Sequence, residues 1–178
     1  MTDSRTRPAD QADTDPEELH ALVVEHGDAM FRLALSVVRD AALAEDVAQD
    51  ALVKAWLALP TLRDRSSLKS WLLRITHNTA ISTVRARRAV VTDPLDLPDS
   101  GSPIGQVETK VQSGAVMDEF LAALDNLDEL SRSIVMLREL EGLAYHEIAD
   151  VLDVPLPTVK TRLLRARRVL GAKLREWA

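Results

Sequence analysis

The sequence predicts an all-α protein: two small helical domains joined by a flexible linker. Three observations predict it. Apolar residues recur at three- and four-residue spacing through two long blocks, and no stretch alternates as a strand would. Aromatic residues make up only 3% of the chain against 46% hydrophobic, so Leu, Val and Ala must fill the core, a composition that favours helices. Between the blocks, Pro94, Pro98, Gly101, Pro103 and Gly105 interrupt the periodicity.

Residues 1–16 are polar and acidic and are expected to be disordered. The first domain is expected over 17–89. Its first helix covers Pro16 to Val38, with Leu19, Leu22, Val23, Met30, Leu33 and Val37 as apolar positions. A second helix covers Ala41 to Leu59 and ends at Pro60. After a loop, Thr61 to Ser67, a third runs from Leu68 to Arg88 with Ser66 or Ser67 as its cap. The linker is expected over 90–115, and Asp93, Asp96 and Asp99 make its first half acidic. The second domain, 116–178, reads as four helices: Val116–Leu127, Ser131–Leu140, Ala144–Leu152 and Thr158–Trp177.

The last two helices have the pattern of a helix-turn-helix. The first runs up to Leu152, and Asp153 can take the left-handed turn position, which Asp tolerates better than most residues. Pro155 and Pro157 stop it, and Thr158 can cap the next helix. Val159, Leu163, Ala166, Leu170 and Leu174 then define an apolar face, with Lys160, Arg162, Arg165, Arg167 and Arg168 around it. Thr158 to Arg175 holds seven Lys/Arg and no acid. A solvated surface helix usually mixes signs, so this run points to DNA, whose major groove admits the N-terminal part of such a helix.

Net charge is −6, which argues against a general nucleic-acid coat. Arg63 to Arg88 holds seven more Lys/Arg and one acid, Asp64, so 14 of the 22 basic residues lie in two stretches. Two basic faces on an acidic body imply targeted DNA contact plus a partner that prefers acidic surface. Without cysteine there is no disulfide, thiolate metal site or thiol redox sensor in this chain. No apolar run reaches spanning length and the N-terminus is not signal-like, so a cytoplasmic location and no membrane partner are expected.

Two helical blocks, a linker and a C-terminal helix-turn-helix resemble the extracytoplasmic-function (ECF) class of bacterial sigma factors, which keep only regions 2 and 4 of the sigma-70 family. The resemblance covers Leu19 to Leu174 and rests on three segments: Ala44-Glu45-Asp46-Val47-Ala48-Gln49-Asp50-Ala51-Leu52-Val53-Lys54-Ala55-Trp56; Ser70-Trp71-Leu72-Leu73-Arg74-Ile75-Thr76-His77-Asn78-Thr79-Ala80-Ile81; and the helix-turn-helix with Leu137-Arg138-Glu139-Leu140-Glu141-Gly142-Leu143 before it. It implies a region 2 bundle of three to four helices and a region 4 helix-turn-helix bundle. It also implies an alternative sigma factor that binds core RNA polymerase and directs initiation at promoters by their −10 and −35 elements. The implied partners are the clamp helices of the largest polymerase subunit, the flap of the second-largest, promoter DNA and an anti-sigma factor.

In the first segment, Asp46 and Asp50 stand one helical turn apart, so both carboxylates leave one face. By itself this reads as a solvated acidic stripe; a metal site would want a His three or four residues on, and none is there. The resemblance makes Asp46, Gln49 and Asp50 the polymerase-docking residues, pairing with basic side chains to set partner choice and on-rate. In the second segment, Trp71, Leu72, Ile75 and Thr79 recur helically, which favours core for Trp71. Arg74, Arg85, Arg87 and Arg88 are phosphate-contact candidates. By resemblance the loop Arg63-Asp64-Arg65-Ser66-Ser67 receives a flipped −10 base, near Asn78, whose amide can pair with a base edge or cap local backbone. His77 is expected at the surface or near phosphate. In the third segment, the resemblance puts Lys160, Thr161 and Arg165 at −35 base edges, with Thr158, Arg162 and Arg168 in the same interface and Arg162 as the phosphate contact. Ile148, Ala149, Val154, Val159 and Leu163 hold the two helices together.

The chain departs from the family pattern at Pro157 and Asp153, where Gly is common, and at Ser82, often Asp. Pro157 removes a backbone N–H that could hold a phosphate. The linker's charge suits either a nucleic-acid mimic in a basic channel or solvated disorder.

An enzyme is the first rival. Glu17-Glu18-Leu19-His20 fits one E-x-x-H motif, but di-iron bundles need two. No phosphate loop, nucleophile elbow, zinc-protease or dinucleotide fingerprint is present. No catalytic residue, metal site or cofactor is therefore expected, and nucleotidyl transfer belongs to the polymerase. The second rival is an autonomous helix-turn-helix regulator that binds duplex DNA without polymerase. The basic helix Leu68–Arg88 argues against it, because a sensor domain has no need of a second nucleic-acid face.

Overall fold

Asp40 sets the first corner of the fold. Its carboxylate accepts the Leu43 N–H at 2.8 Å and caps α2 (Ala41–Ala58). Just before it, Arg39 closes α1 (Pro16–Val38) in the left-handed conformation, φ 58°. The computed structural model describes residues 16–91 and 122–171. Every regular element among them is helical.

Small residues line the buried side of α2: Ala44, Val47, Ala51 and Ala55. They let α1 and α3 (Leu68–Val91) approach closely, and Leu22, Met30, Leu59 and Leu72 close the gap on one side. Ala34, Leu35, Val37 and Ala80 close it on the other. Trp71 is half-buried against the first of these clusters, as its helical spacing predicts. Val23 is not an apolar contact: it is 43% exposed, because α1 turns that side away from both neighbours. Pro60 ends α2 in a short 3₁₀ turn, Leu59–Thr61. The cap expected at Ser66 or Ser67 falls to Asp64, which accepts the Ser66 N–H at 2.9 Å at the start of the 3₁₀ turn Arg65–Ser67 leading into α3.

The C-terminal group begins with one helical turn at 122–124. The predicted helix Val116–Leu127 lies mostly outside the described residues, as do the tail, the linker from residue 92, and Leu174. Asp128 caps α4 (Glu129–Val135) through the Ser131 N–H at 2.9 Å. The helix then widens into a π turn, Met136–Leu140, where the Glu141 N–H reaches back to the Met136 carbonyl. Gly142 at φ +70° and the Leu143 N–H on the Leu137 carbonyl end it. In α5 (Tyr145–Leu152), Glu147 accepts the Ala144 N–H at 2.7 Å; Ala144 has no acceptor to return the bond.

Asp153 takes the left-handed turn, φ 53° and ψ 50°, between α5 and α6 (Leu156–Leu170). The cap is Pro155, not Thr158: the helix starts two residues earlier than expected, since proline's fixed φ suits a first helical turn that needs no N–H there. Val159, Leu163, Ala166 and Leu170 are buried, and Ile148, Ala149 and Val154 pack with them in one cluster.

The two groups are packed on one another. The cluster that holds Ile134, Leu137, Ile148 and Leu163 also takes in Ala29 and Leu33 of α1 and Leu73 of α3. Seven consecutive residues, Ser131 to Leu137, are buried, which a helix shows only when both sides are covered. Here α1 covers one side and α6 the other.

Candidate nucleic-acid interface

Three surfaces carry the residues that the sequence singles out. On α2, Glu45, Asp46, Gln49 and Asp50 are all exposed. Asp46 makes no ion pair with a described residue, whereas Asp50 holds Lys54 Nζ at 2.6 Å, which also reaches Thr79 Oγ1 at 3.3 Å. At 100° per residue, Val53 and Leu57, 57% and 75% exposed, continue the Asp46–Asp50 stripe by two turns. Sequence reasoning passed over them, since an apolar residue in a helix is read as core until the neighbours are known.

The second surface is the 63–67 loop with α3. Asp64 is committed to the loop itself: its carboxylate accepts the Ser66 N–H and Oγ–H, and these bonds hold it below its ordinary pKa. Ser67 Oγ donates to the Asp64 carbonyl at 2.8 Å. Arg65 pairs with Glu18 at 2.6 Å, and Arg63 is exposed. On α3, Arg74, Asn78, Arg85 and Arg88 fall on one exposed stripe. Arg87 is exposed but leaves the helix on the opposite side.

His77 contradicts its surface expectation. It is buried, its Nδ1 has no partner among the described residues, and desolvation brings its pKa down to about 4. It sits one turn beyond Leu73, on the side of α3 that the rest of the fold covers.

The third surface is α6. Lys160, Thr161, Arg165 and Arg168 are exposed, and none of the three cations pairs with a described residue. Thr158 is half-buried at the third helical position. Leu164, 54% exposed, lies among the cations. Arg162 is diverted: its Nη1 donates to both Asp128 oxygens at 2.9 and 2.8 Å and reaches Ser131 Oγ at 3.3 Å. Desolvation works to raise the Asp128 pKa, but the Ser131 and Arg162 bonds outweigh it and hold the carboxylate low. Arg167 turns to the other flank and binds Glu139. Among the described residues no His/Asp/Glu cluster could hold a metal ion, and no helix is long and apolar enough to cross a membrane.

Two family models match the chain. Sigma-70 region 2 matches residues 22–90, and sigma-70 region 4 matches 117–170. The chain belongs to the ECF class of the sigma-70 family. It is 32% identical over 170 residues to the RNA polymerase sigma-H factor of Pseudomonas aeruginosa, covering 90% of this chain and 88% of that one. It is 33% identical over 138 residues to the ECF RNA polymerase sigma-E factor of Escherichia coli strain K12, 72% of each chain. Among solved structures, the sigma factor RpoE of Bartonella quintana, in complex with the anti-sigma factor NepR, is similar with TM-score 0.68 and 25% identity over 90% of this chain and 98% of that one. CnrH, in complex with the cytosolic domain of CnrY, gives 0.61 and 27%, covering 92% of each chain. This ECF factor is an alternative sigma factor: its partners are core RNA polymerase and promoter DNA, and it directs transcription from promoters as a specificity subunit.

Proposed function

We propose that the three surfaces divide the work of initiation. Region 2 over 17–89 docks core polymerase through Asp46, Gln49 and Asp50 of α2 and reads the −10 element with Arg63, Asp64, Arg65, Ser66, Ser67, Arg74, Asn78, Arg85, Arg87 and Arg88. Region 4 over 116–178 reads the −35 element with Thr158, Lys160, Thr161, Arg162, Arg165 and Arg168.

The observation that carries this is the exposed face of α6. Lys160, Arg165 and Arg168, unpaired among the described residues, surround Thr161 on the helix that follows the left-handed Asp153 turn. A recognition helix needs such side chains free for base edges and phosphates. Arg165 is the base-reading candidate; Arg162 reaches phosphate only by giving up Asp128. Asp64 shapes the −10 loop more than it meets a base, since its oxygens are occupied. Val53 and Leu57 extend the docking stripe with apolar contact area, so steering comes from the carboxylates and burial from these two.

As a specificity subunit the chain leaves nucleotidyl transfer to the polymerase. It works in the cytoplasm, where polymerase is. Both structural neighbours are held by an anti-sigma factor or a cytosolic partner domain, which supports a partner of that kind here.

The test is run-off transcription with purified core polymerase on a pool of randomised promoters, with and without the protein. Transcripts that depend on the protein and share two spaced elements are expected. Duplex binding by the protein alone, with no transcripts, would overturn the reading in favour of a regulator acting without polymerase.

A further inference from the structure

We propose that Glu141 is the latch of a self-closed form of this sigma factor, gripped by Arg32 and Lys69, which keeps regions 2 and 4 together until core polymerase parts them. The inhibitory part of this rests on the −10 and −35 assignment above.

Glu141 belongs to region 4, and its side chain is 3% exposed. Arg32 of α1 donates from Nε at 3.1 Å and Nη2 at 2.8 Å to Oε1. Lys69 of α3 lies 3.1 Å from Oε2 and donates to the Glu141 carbonyl at 2.9 Å. One carboxylate is thus held from two region 2 helices. The π turn before it and Gly142 after it end the helix at Glu141, on the side away from Glu139, which pairs with Arg167.

Two further contacts cross the same boundary. Buried Arg132 of α4 donates from Nε to the Ser36 carbonyl at 3.1 Å, capping the last turn of α1. Arg39 pairs with Asp125 at 2.7 Å. Between these ion pairs, Ala29, Leu33 and Leu73 join the region 4 core.

Closure is incompatible with reading both elements. Centres of −10 and −35 elements lie about 25 base pairs apart, roughly 85 Å of duplex at about 3.4 Å each. Helices packed in contact have axes about 8–10 Å apart. Residues 92–121, fully extended, reach about 100 Å, enough for the open form. A buried ion pair suits a latch. Its desolvation cost roughly cancels its attraction, so it fixes the closed geometry yet returns its charges to water on opening.

The chain has no cysteine, so spin labels can be placed at will. His20→Cys and His146→Cys put one exposed label on each region. Double electron–electron resonance on the full chain should give one short distance. Glu141→Gln, which keeps the size and removes the charge, should move most of that population to longer distances, as should core polymerase added to the wild type. Lys69→Met is the second variant, for use if Glu141→Gln fails to melt cooperatively. With core limiting, the opened variant should bind it several-fold more tightly.

A long or broad distribution in the free wild type would overturn the closed form. An unchanged distance in folded Glu141→Gln and Lys69→Met would overturn the latch. Opening without tighter core binding would overturn the inhibition. The distance measurement needs neither polymerase nor promoter, so it separates failure of the latch from failure of the promoter-reading assignment.

Discussion

Arg162 Nη1 lies 2.9 and 2.8 Å from the two oxygens of Asp128, the cap of α4. α6 is therefore tied by its own cation to α4. Arg165, three residues on, is exposed and carries no such tie among the described residues. Two arginines that look alike in sequence have different surroundings.

Replacing them separates their proposed tasks. Arg165→Ala should weaken or relax −35 selectivity by about 1–3 kcal/mol, the value of one good base contact, with thermal stability unchanged. Arg162→Ala should lower stability by up to about 1 kcal/mol, as a part-exposed ion pair allows, and leave the promoter profile nearly intact. Promoter selection from a randomised pool and calorimetry of both variants check this. An unchanged profile for Arg165→Ala excludes it as a reader.

The proposed docking stripe on α2 makes an unequal prediction for its two acids. Asp50 already holds Lys54, while Asp46 is unpaired among the described residues. Asp46→Arg should cost core affinity tenfold or more, about 1.4 kcal/mol or above, and Asp50→Arg less. The double variant should abolish binding with circular dichroism unchanged. Normal affinity in the double variant would remove α2 from the docking surface.

His77 predicts an acid-sensitive fold. Burial depresses its pKa from 6.5 to about 4, so the folded protein favours the neutral ring. Between these values the unfolded chain binds the proton and the folded one does not, so stability rises with pH. The contribution is complete above about 6.5 and is lost as pH falls toward 4, a change of up to about 3 kcal/mol. Urea melts from pH 7 to pH 4.5 should show it, and His77→Phe should flatten the difference. Equal slopes in both proteins would show that other groups carry the acid sensitivity.

Arg39 tests which of two small effects is larger. Its left-handed backbone costs a non-glycine residue about 1–2 kcal/mol, and its part-exposed pair with Asp125 contributes up to about 1 kcal/mol. Arg39→Gly removes both, so stability should stay level or rise by up to about 1 kcal/mol. A clear loss in denaturant melts would show that the pair outweighs the strain.

Most of the element pattern was legible because helices are specified locally. The proline at 60, the left-handed Asp at 153 and the apolar spacing of Val159, Leu163, Ala166 and Leu170 are short-range signals. The misses share a cause. Thr158 loses its capping role to Pro155, and Ser66 to Asp64, because several residues in reach compete for one terminus. Val23 and His77 were misplaced because burial depends on which neighbour arrives, and periodicity marks a face without saying what meets it. Arg74, Asn78 and Arg165 are exposed where the motifs put them; Arg162 is not free, and nothing within four residues of it says so.

The all-α class, the two helical groups, the turn at Asp153 and the two basic stretches on an acidic chain are written locally. Each follows from residue type and near spacing. Long-range packing alone sets the groups against each other, brings Glu141 to Arg32 and Lys69, and lets Arg132 cap α1 through Ser36. Those partners are 72 to 109 residues apart, and an ion pair at that separation leaves no periodicity for a local pattern to reveal.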